Sequence, residues 1–226
     1  MQLIEKDNKQ TITAWTFYDW ANSIFPLVIM SAVFPNYYDY ITTHDEAKNM
    51  IGHTVTFFGR EFENQNIYSF VYAFALFIVV LISPVLSGIA DYLGNKKRFL
   101  QFFCYLGATS CMCLFFFTKN HLELSFFPFV TATVGFWGSL VYYNSYLPQI
   151  ASIENQDKVS ARGFALGYFG SSLLLILCLI SIMVLHVPAK YSFLFVRIWW
   201  IGFAQYTFKH LPNQSHEKKG SDTKGL

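Results

Sequence analysis

Asp19 places a carboxylate inside an apolar segment, a position at which ionisable residues of membrane proteins are usually functional. It lies about five residues into a long apolar segment. A carboxylate at mid-bilayer costs about 2.5–3.5 kcal/mol, and less near an end of the span. Asn22, Ser23 and Pro26 follow at spacings that place all four residues on one helical face. Asp19 and Asn22 are therefore candidates for a substrate or proton site on a cavity wall; the other interpretation, which the sequence slightly favours, is an interfacial Asp that caps or hydrogen-bonds a neighbouring helix.

A second polar group closes the fourth apolar segment. Within it, Tyr143 and Asn144 are candidates for a substrate or proton site. Small and hydroxylated residues also form a stripe along this segment. The stripe could line a polar cavity opposite Asp19, since both lie toward the same leaflet, but aromatic stripes serve packing more often than binding, and we interpret this one as packing. The stripe consists of Gly135, Ser139, Tyr142 and Tyr146.

Three glycines near the start of the fifth apolar segment predict a close helix contact. Gly163 and Gly167 are four residues apart, and Gly170 follows three residues later. Small residues at this spacing let a second helix approach closely. The pattern is common in membrane helices, so it predicts packing rather than function.

The connection between the second and third apolar segments has a distinctive order of residues. Asp91 stands at a helix end, Gly94 permits a sharp reversal, and Lys96, Lys97 and Arg98 follow. An ordinary positive loop would explain the basic cluster but not the placement of Asp91 and Gly94. We interpret these five residues as a candidate gating loop.

The elements that must position these residues are membrane helices. The chain of 226 residues is 54% hydrophobic, 19% aromatic and 13% charged, whereas soluble domains carry about 25% charged residues. Six apolar segments approach the ~20 residues that a bilayer core requires. We predict an all-α integral membrane protein with six transmembrane helices. The segments are residues 14–38, 67–90, 99–118, 124–147, 164–187 and 191–211.

Charge sets the predicted orientation. Residues 1–211 should form the transmembrane domain, with a polar cytoplasmic tail at 212–226. Eleven Lys and Arg fall on the side that holds both termini and four on the other, so the termini should be cytoplasmic. The long external loop, about residues 39–66, should be a partly ordered cap. The net charge of +2 predicts no nucleic-acid partner.

The Asp91 loop is similar to the signature of the major facilitator superfamily, Gly-x-x-x-Asp-Arg-x-Gly-Arg-Lys. Asp91, Gly94 and Lys96 match, while Ser87 replaces the first Gly, and Tyr92 and Asn95 replace basic residues. The resemblance therefore implies the superfamily's conformational gate only in part.

Other segments resemble the vacuole effluxer family, whose members include relatives of a yeast amino-acid effluxer and many bacterial proteins. The first segment has Trp15-x-x-Tyr18-Asp19-Trp20-Ala21-Asn22-Ser23. The remaining similar segments, in chain order, are Phe34-Pro35, Ser83-Pro84-Val85-Leu86, Tyr143-Asn144-Ser145-Tyr146-Leu147-Pro148, Gly163-Phe164-Ala165-Leu166-Gly167-Tyr168 and Trp199-Trp200.

This resemblance implies secondary active transport of a small solute, amino acids being the family's best-known cargo, by alternating access in a bacterial cytoplasmic membrane. Such transporters have twelve spans in two parallel repeats, so six spans correspond to the N-terminal half. A missing C-terminal half, through a truncated gene or a fragment, is the favoured explanation, and a homodimer is the alternative.

Two other function classes remain open from the sequence. A non-transporting membrane scaffold or an inactive gene fragment is one. A membrane-embedded enzyme is the less favoured one, because no metal-binding or nucleophile–base pattern lies at bilayer depth. We expect no cofactor and no metal, with lipid and a small solute as partners.

Overall fold

The computed structural model describes residues 5–45, 47–93 and 95–213, with the backbone alone at residues 89–93. Helices dominate, and one short β-hairpin joins the first two membrane segments. The helices are α1 (Lys9–Asn22), α2 (Phe34–Thr43), α3 (Asn64–Leu93), α4 (Lys96–Cys113), α5 (Leu122–Ser125), α6 (Phe127–Asn144), α7 (Leu147–Ile150), α8 (Ile153–Met183) and α9 (Tyr191–His210), and the strands are β1 (Thr54–Phe57) and β2 (Arg60–Glu63).

Five helical stretches in the described part of the chain are long and apolar enough to cross a membrane: Lys9–Thr43, Asn64–Gly88, Lys96–Phe116, Lys119–Ile150 and Ile153–Met183. The prediction of an all-α integral membrane protein is confirmed.

The sixth predicted span corresponds to α9, which has 20 residues. It packs in the bundle, but Arg197 and Lys209 lower its apolarity below that of the other five. Its crossing of the membrane stays a prediction. Most of the predicted tail, residues 214–226, lies outside the described residues.

The first span changes helix type at Pro26. A π-helical segment, Phe25–Val33, follows α1 and leads into α2. Proline has no N–H group, so the Asn22 carbonyl loses its usual helical donor. The Ser31 hydroxyl donates to the Pro26 carbonyl at 2.8 Å. Such π-helical interruptions are frequent at functional sites, and this one borders the cavity described below.

Helices α4 and α6 approach most closely at a glycine pair. A Cβ atom on Gly135 would lie 2.5 Å from the Gly107 Cα, and one on Gly107 would meet the Trp200 ring at 2.8 Å. Only residues without a side chain allow this separation. Tyr142, in the predicted packing stripe, is buried and stacks on Phe99 at 5.2 Å.

Both described ends of the chain meet at one end of the bundle, the terminal end. The Asp7 N–H donates to the Ile150 carbonyl at 2.8 Å, just before α8. At the same end, the Lys97 Nζ donates to the Leu211 carbonyl at 2.8 Å, just after α9. The connections α3–α4 and α7–α8 therefore lie beside both termini.

The opposite end of the bundle, the hairpin end, carries β1 and β2. The Phe58 N–H in the hairpin turn donates to the Glu123 carboxylate at 2.6 Å, and the Lys119 Nζ donates to the His44 carbonyl at 2.8 Å. Beneath the hairpin, Phe34 and Phe129 stack at 4.7 Å within a cluster of aromatic rings. The predicted cap segment thus contains a small ordered hairpin.

Candidate functional site

The site is built around the Asp19 carboxylate, near the end of α1. Asp19 is only 6% exposed although it carries a charge-bearing group. The Tyr143 hydroxyl, from α6, donates to Asp19 Oδ2 at 2.8 Å. The other oxygen, Oδ1, accepts no hydrogen bond from the described residues, which leaves it an available acceptor.

Tyr143 is held in place by Trp15. Their rings stack with centroids 4.2 Å apart and planes 8° from parallel. The Trp15 Nε1–H also donates to the Tyr143 carbonyl at 2.9 Å. Since Trp15 lies one helical turn before Asp19, α1 supplies both the carboxylate and the residue that orients its donor.

The three predicted packing glycines all lie against α1. A Cβ atom on Gly163 would stand 2.5 Å from Asp19 Oδ2 and 3.2 Å from the Tyr143 hydroxyl. One on Gly167 would collide with the Ser23 hydroxyl, and one on Gly170 would meet the Trp20 ring at 2.9 Å. Because glycine has no side chain, the α8 backbone can lie directly against the Asp19 carboxylate.

A cavity of about 310 Å³ opens beside Asp19 between the first span, α6 and α8. Asp19, Asn22, Ser23 and Pro26, which the sequence placed on one face of the first span, all contribute to its wall. Its lining residues are Asp19, Asn22, Ser23, Pro26, Leu27, Ser31, Phe136, Leu140, Phe164, Tyr168 and Ser171. The wall is therefore largely apolar and aromatic, with the carboxylate, one amide and three serine hydroxyls.

Asn22 has an unused donor in this wall. Its side chain is 1% exposed, and its Nδ2 group has no hydrogen-bond partner among the described residues. Buried polar groups are usually paired, so an exception requires an explanation. A solute or a water molecule in the cavity would supply the missing acceptor.

Neither Tyr143 nor Asn144, the two predicted site residues on α6, lines this cavity. Asn144 is exposed at the end of α6, whereas Tyr143 points into the bundle, where its hydroxyl bonds Asp19. Consecutive helical residues are separated by about 100° around the axis, and one residue step is enough to separate the two.

Three of the gating-loop candidates, Lys96, Lys97 and Arg98, lie at the terminal end, apart from the cavity. Lys96 is buried and begins α4, Lys97 bonds the end of α9, and Arg98 is exposed. Gly94 and the side chain of Asp91 lie outside the described residues. Their predicted role remains untested.

Tyr168 and Ser171, on α8, were not singled out from the sequence as cavity residues. They follow Phe164 at four and seven residues, the spacing of one helical face. Phe164, Tyr168 and Ser171 each follow one of the three glycines, so their face of α8 lies beside the glycine face. The glycine pattern would therefore have pointed to Tyr168 and Ser171 if the contact between α1 and the glycines had been known.

Chemically, the arrangement offers one carboxylate, one orphaned amide donor and several hydroxyl groups. No group of three His, Cys, Asp or Glu that could hold a metal ion occurs among the residues described. Such a wall can bind a cationic or hydrogen-bonding group, or carry a proton on the carboxylate.

An all-α membrane bundle with a carboxylate-bearing cavity between its helices is typical of multi-pass transport proteins of the major facilitator type. Over residues 7–224, the chain matches the family described as vacuole effluxer Atg22-like, and it belongs to that family.

A relative from Bacillus subtilis (strain 168), named as the uncharacterized MFS-type transporter YxiO, is 30% identical over 215 residues. The aligned part covers 91% of this chain and 47% of the relative, so the chain spans about half the length of that protein. No solved structure gives a significant match.

Proposed function

We propose that this chain is a secondary active transporter, or the N-terminal half of one, that moves a small solute by alternating access through the Asp19 cavity. The observation that carries the proposal is the buried carboxylate on the cavity wall, with one oxygen unbonded and an orphaned amide donor beside it. Intramembrane carboxylates of this kind mark solute or ion pathways.

The cavity wall supports a solute with both polar and apolar parts. Asp19 would bind an amine group or a proton, and Asn22 Nδ2 would donate to a carboxylate or carbonyl oxygen. The rings of Phe136, Phe164 and Tyr168 would contact an apolar side chain. Amino acids satisfy all three requirements, and they are the solutes to assay first.

Transport by alternating access requires a second six-helix unit. We propose that it packs on the face where Phe164 and Tyr168 are exposed, 61% and 72% respectively, so that the cavity becomes the space between two units. The second unit is the remaining half of a longer transporter or a second copy of this chain. The Asp91–Arg98 loop would then contribute to the gate, at the cytoplasmic side of a bacterial membrane.

The test is uptake of a panel of radiolabelled amino acids by proteoliposomes that contain the purified chain, with protein-free liposomes as the baseline. We expect uptake of at least one amino acid, which Leu140→Trp should abolish by filling the cavity. Leu177→Trp, in an apolar groove between α8 and α9, is the matched control and should transport normally.

Uptake that survives Leu140→Trp would place the solute route elsewhere. Absence of uptake for every amino acid, in a folded and correctly reconstituted sample, would contradict amino-acid transport by two copies of this chain and would leave the N-terminal half of a longer transporter or the non-transporting scaffold.

A further inference from the structure

The β-hairpin has two chemically different faces. In its register Phe57 pairs with Arg60 and Val55 with Phe62, while Thr56 pairs with Glu61 and Thr54 with Glu63. Paired residues share a face, and alternate pairs point to opposite faces. One face is therefore aromatic with a single cation, and the other holds the two acids and two threonines.

The hairpin turn presents an aromatic ring at an unfavourable backbone position. Phe58 has φ +47° and Gly59 has φ +74°, the left-handed pair that two-residue hairpin turns require. Asn or Gly normally takes the first position, because bulky side chains are disfavoured there. Phe58 is nevertheless present, and its ring is 76% exposed.

A groove of about 620 Å³ separates the aromatic face of the hairpin from the start of α3. Phe57, Phe58 and Phe62 line it from the hairpin, and Ile67 and Phe70 line it from the helix. The span Asn64–Gly88 begins here, so the floor of the groove continues into the surface that meets lipid. Phe70 is 64% exposed on that surface.

Among the described residues that line the groove, Arg60 is the one that carries a charge. Within the described part of the chain its guanidinium makes no hydrogen bond or ion pair, and Glu61 and Glu63 point to the other face of the hairpin. An occupant that complements this site needs an anionic group for Arg60 and an apolar chain for the phenylalanine rings.

We propose that this groove is a binding site for one anionic phospholipid of the leaflet at the hairpin end. Arg60 binds the phosphate, and the rings of Phe58, Phe62 and Phe70 hold the first part of an acyl chain. Arginine suits phosphate because its planar donors match the phosphate oxygens, and aromatic rings favour the depth where headgroups meet acyl chains. The site is separate from the Asp19 cavity and does not depend on the proposed transport.

The experiment is native mass spectrometry of the detergent-purified chain with equal amounts of phosphatidylglycerol and phosphatidylcholine carrying identical acyl chains. We expect the unmodified chain to retain phosphatidylglycerol preferentially. Arg60→Gln should lower that preference about fivefold, the factor equivalent to the ~1 kcal/mol attraction of one basic residue to anionic lipid. Lys48→Asn removes an exposed cation of the same external segment and should leave the preference unchanged.

Phe58→Gly separates lipid contact from folding. Glycine adopts the φ of this turn without strain, so the hairpin should remain intact while retention of both lipids falls. Equal preference in the Arg60→Gln and unmodified chains, or an equal loss in Lys48→Asn, would overturn the proposal.

Location is tested with phosphatidylglycerol that carries a photoreactive diazirine near the start of its acyl chain. We expect crosslinked peptides to map to residues 57–70 and to disappear in Phe58→Gly. Crosslinks that map only elsewhere would overturn the assignment. A dimer joined through the hairpin by a separate bifunctional protein crosslinker would likewise overturn it, because it would assign the groove to a second copy.

Discussion

At the scale of single residues, the central feature is a carboxylate, that of Asp19, buried inside a membrane protein. Its burial removes water, and one hydroxyl, from Tyr143, replaces part of that hydration. A single hydrogen bond inside a membrane bundle contributes on the order of 1 kcal/mol, less than the insertion cost of a carboxylate. The hydrogen bond from Tyr143 therefore offsets only part of the cost of burying the Asp19 carboxylate, and a bound solute or proton would offset the rest.

Tyr143→Phe removes the only described donor to the Asp19 carboxylate while keeping the ring that stacks on Trp15. We expect a loss of about 1 kcal/mol in the free energy of unfolding, measured by denaturant titration in detergent. Tyr168→Phe is the control, because the ring of Tyr168 is 72% exposed and its hydroxyl bonds no described residue. Equal losses in both variants would contradict a specific Asp19–Tyr143 contact.

The sequence predicted the α1 side of the site better than the α6 side. Helical spacing placed Asp19, Asn22 and Ser23 on one face, and these residues line one cavity. On α6, Tyr143 and Asn144 were chosen together, but only Tyr143 reaches Asp19. Spacing within one helix defines a face, whereas the rotation of a second helix about its own axis depends on packing that the local sequence does not specify.

At the scale of elements, the contact between α1 and α8 holds the site together. Three glycines on α8 leave room for the first span, and one of them, Gly163, lies beside the Asp19 carboxylate. The Gly107–Gly135 approach of α4 and α6 was not predicted, because its two glycines lie on different helices and form no local motif.

Gly163→Ala should displace Asp19 or separate α1 from α8, since the added Cβ would lie 2.5 Å from Oδ2. Overpacking of this kind costs about 1–3 kcal/mol, to be measured as a lower unfolding free energy. In Gly202→Ala, on α9, the new Cβ meets nothing within 4 Å, so that variant should be neutral or up to about 1 kcal/mol more stable. Equal stability of the two variants would contradict the described contact.

A second contact between these two helices is a hydrogen bond between the residues just before them, Asp7 before α1 and Ser152 before α8, outside the two spans. The Ser152 N–H donates to Asp7 Oδ1 at 3.1 Å, and this bond lowers the pKa of Asp7 below its ordinary value of 3.8. Because the folded-state pKa is depressed, the contribution to stability is present above pH 3.8 and is lost as pH falls through the lower, folded-state value.

Asp7→Asn should remove that part of the acid sensitivity. Asparagine fits the left-handed backbone of residue 7, at φ +62°, but has no charge to lose. We expect the melting temperatures of the two proteins to converge as pH falls below the Asp7 pKa. A constant difference across the whole pH range would show that the carboxylate charge does not strengthen this contact.

At the scale of the whole molecule, the bundle has two distinct ends. The terminal end gathers both described chain ends and the starts of α4 and α8, where Lys96–Arg98 and Lys158 lie, and the opposite end carries the hairpin. This agrees with the assignment of successive connections to opposite sides of the membrane, on which the count of Lys and Arg residues was based. Placement of the terminal end in the cytoplasm stays a prediction from that count.

Single added cysteines test the orientation. Thr56→Cys, on the exposed face of the hairpin, should react in intact cells with a maleimide that does not cross membranes. Asp157→Cys, exposed near the start of α8, should react only after the cells are opened. The unmodified chain is the control, since its four free cysteines are buried or half-buried. The reverse pattern would invert the topology.

Solute counterflow in proteoliposomes with Asp19→Asn tests most directly whether the buried Asp19 carboxylate acts in transport. The variant keeps the shape of the side chain and removes its charge, and we expect the initial rate to fall at least tenfold, equivalent to about 1.4 kcal/mol. Asp157→Asn, which neutralises an exposed acid on α8, should retain the full rate. An unchanged rate in Asp19→Asn would contradict a role for the buried carboxylate in transport.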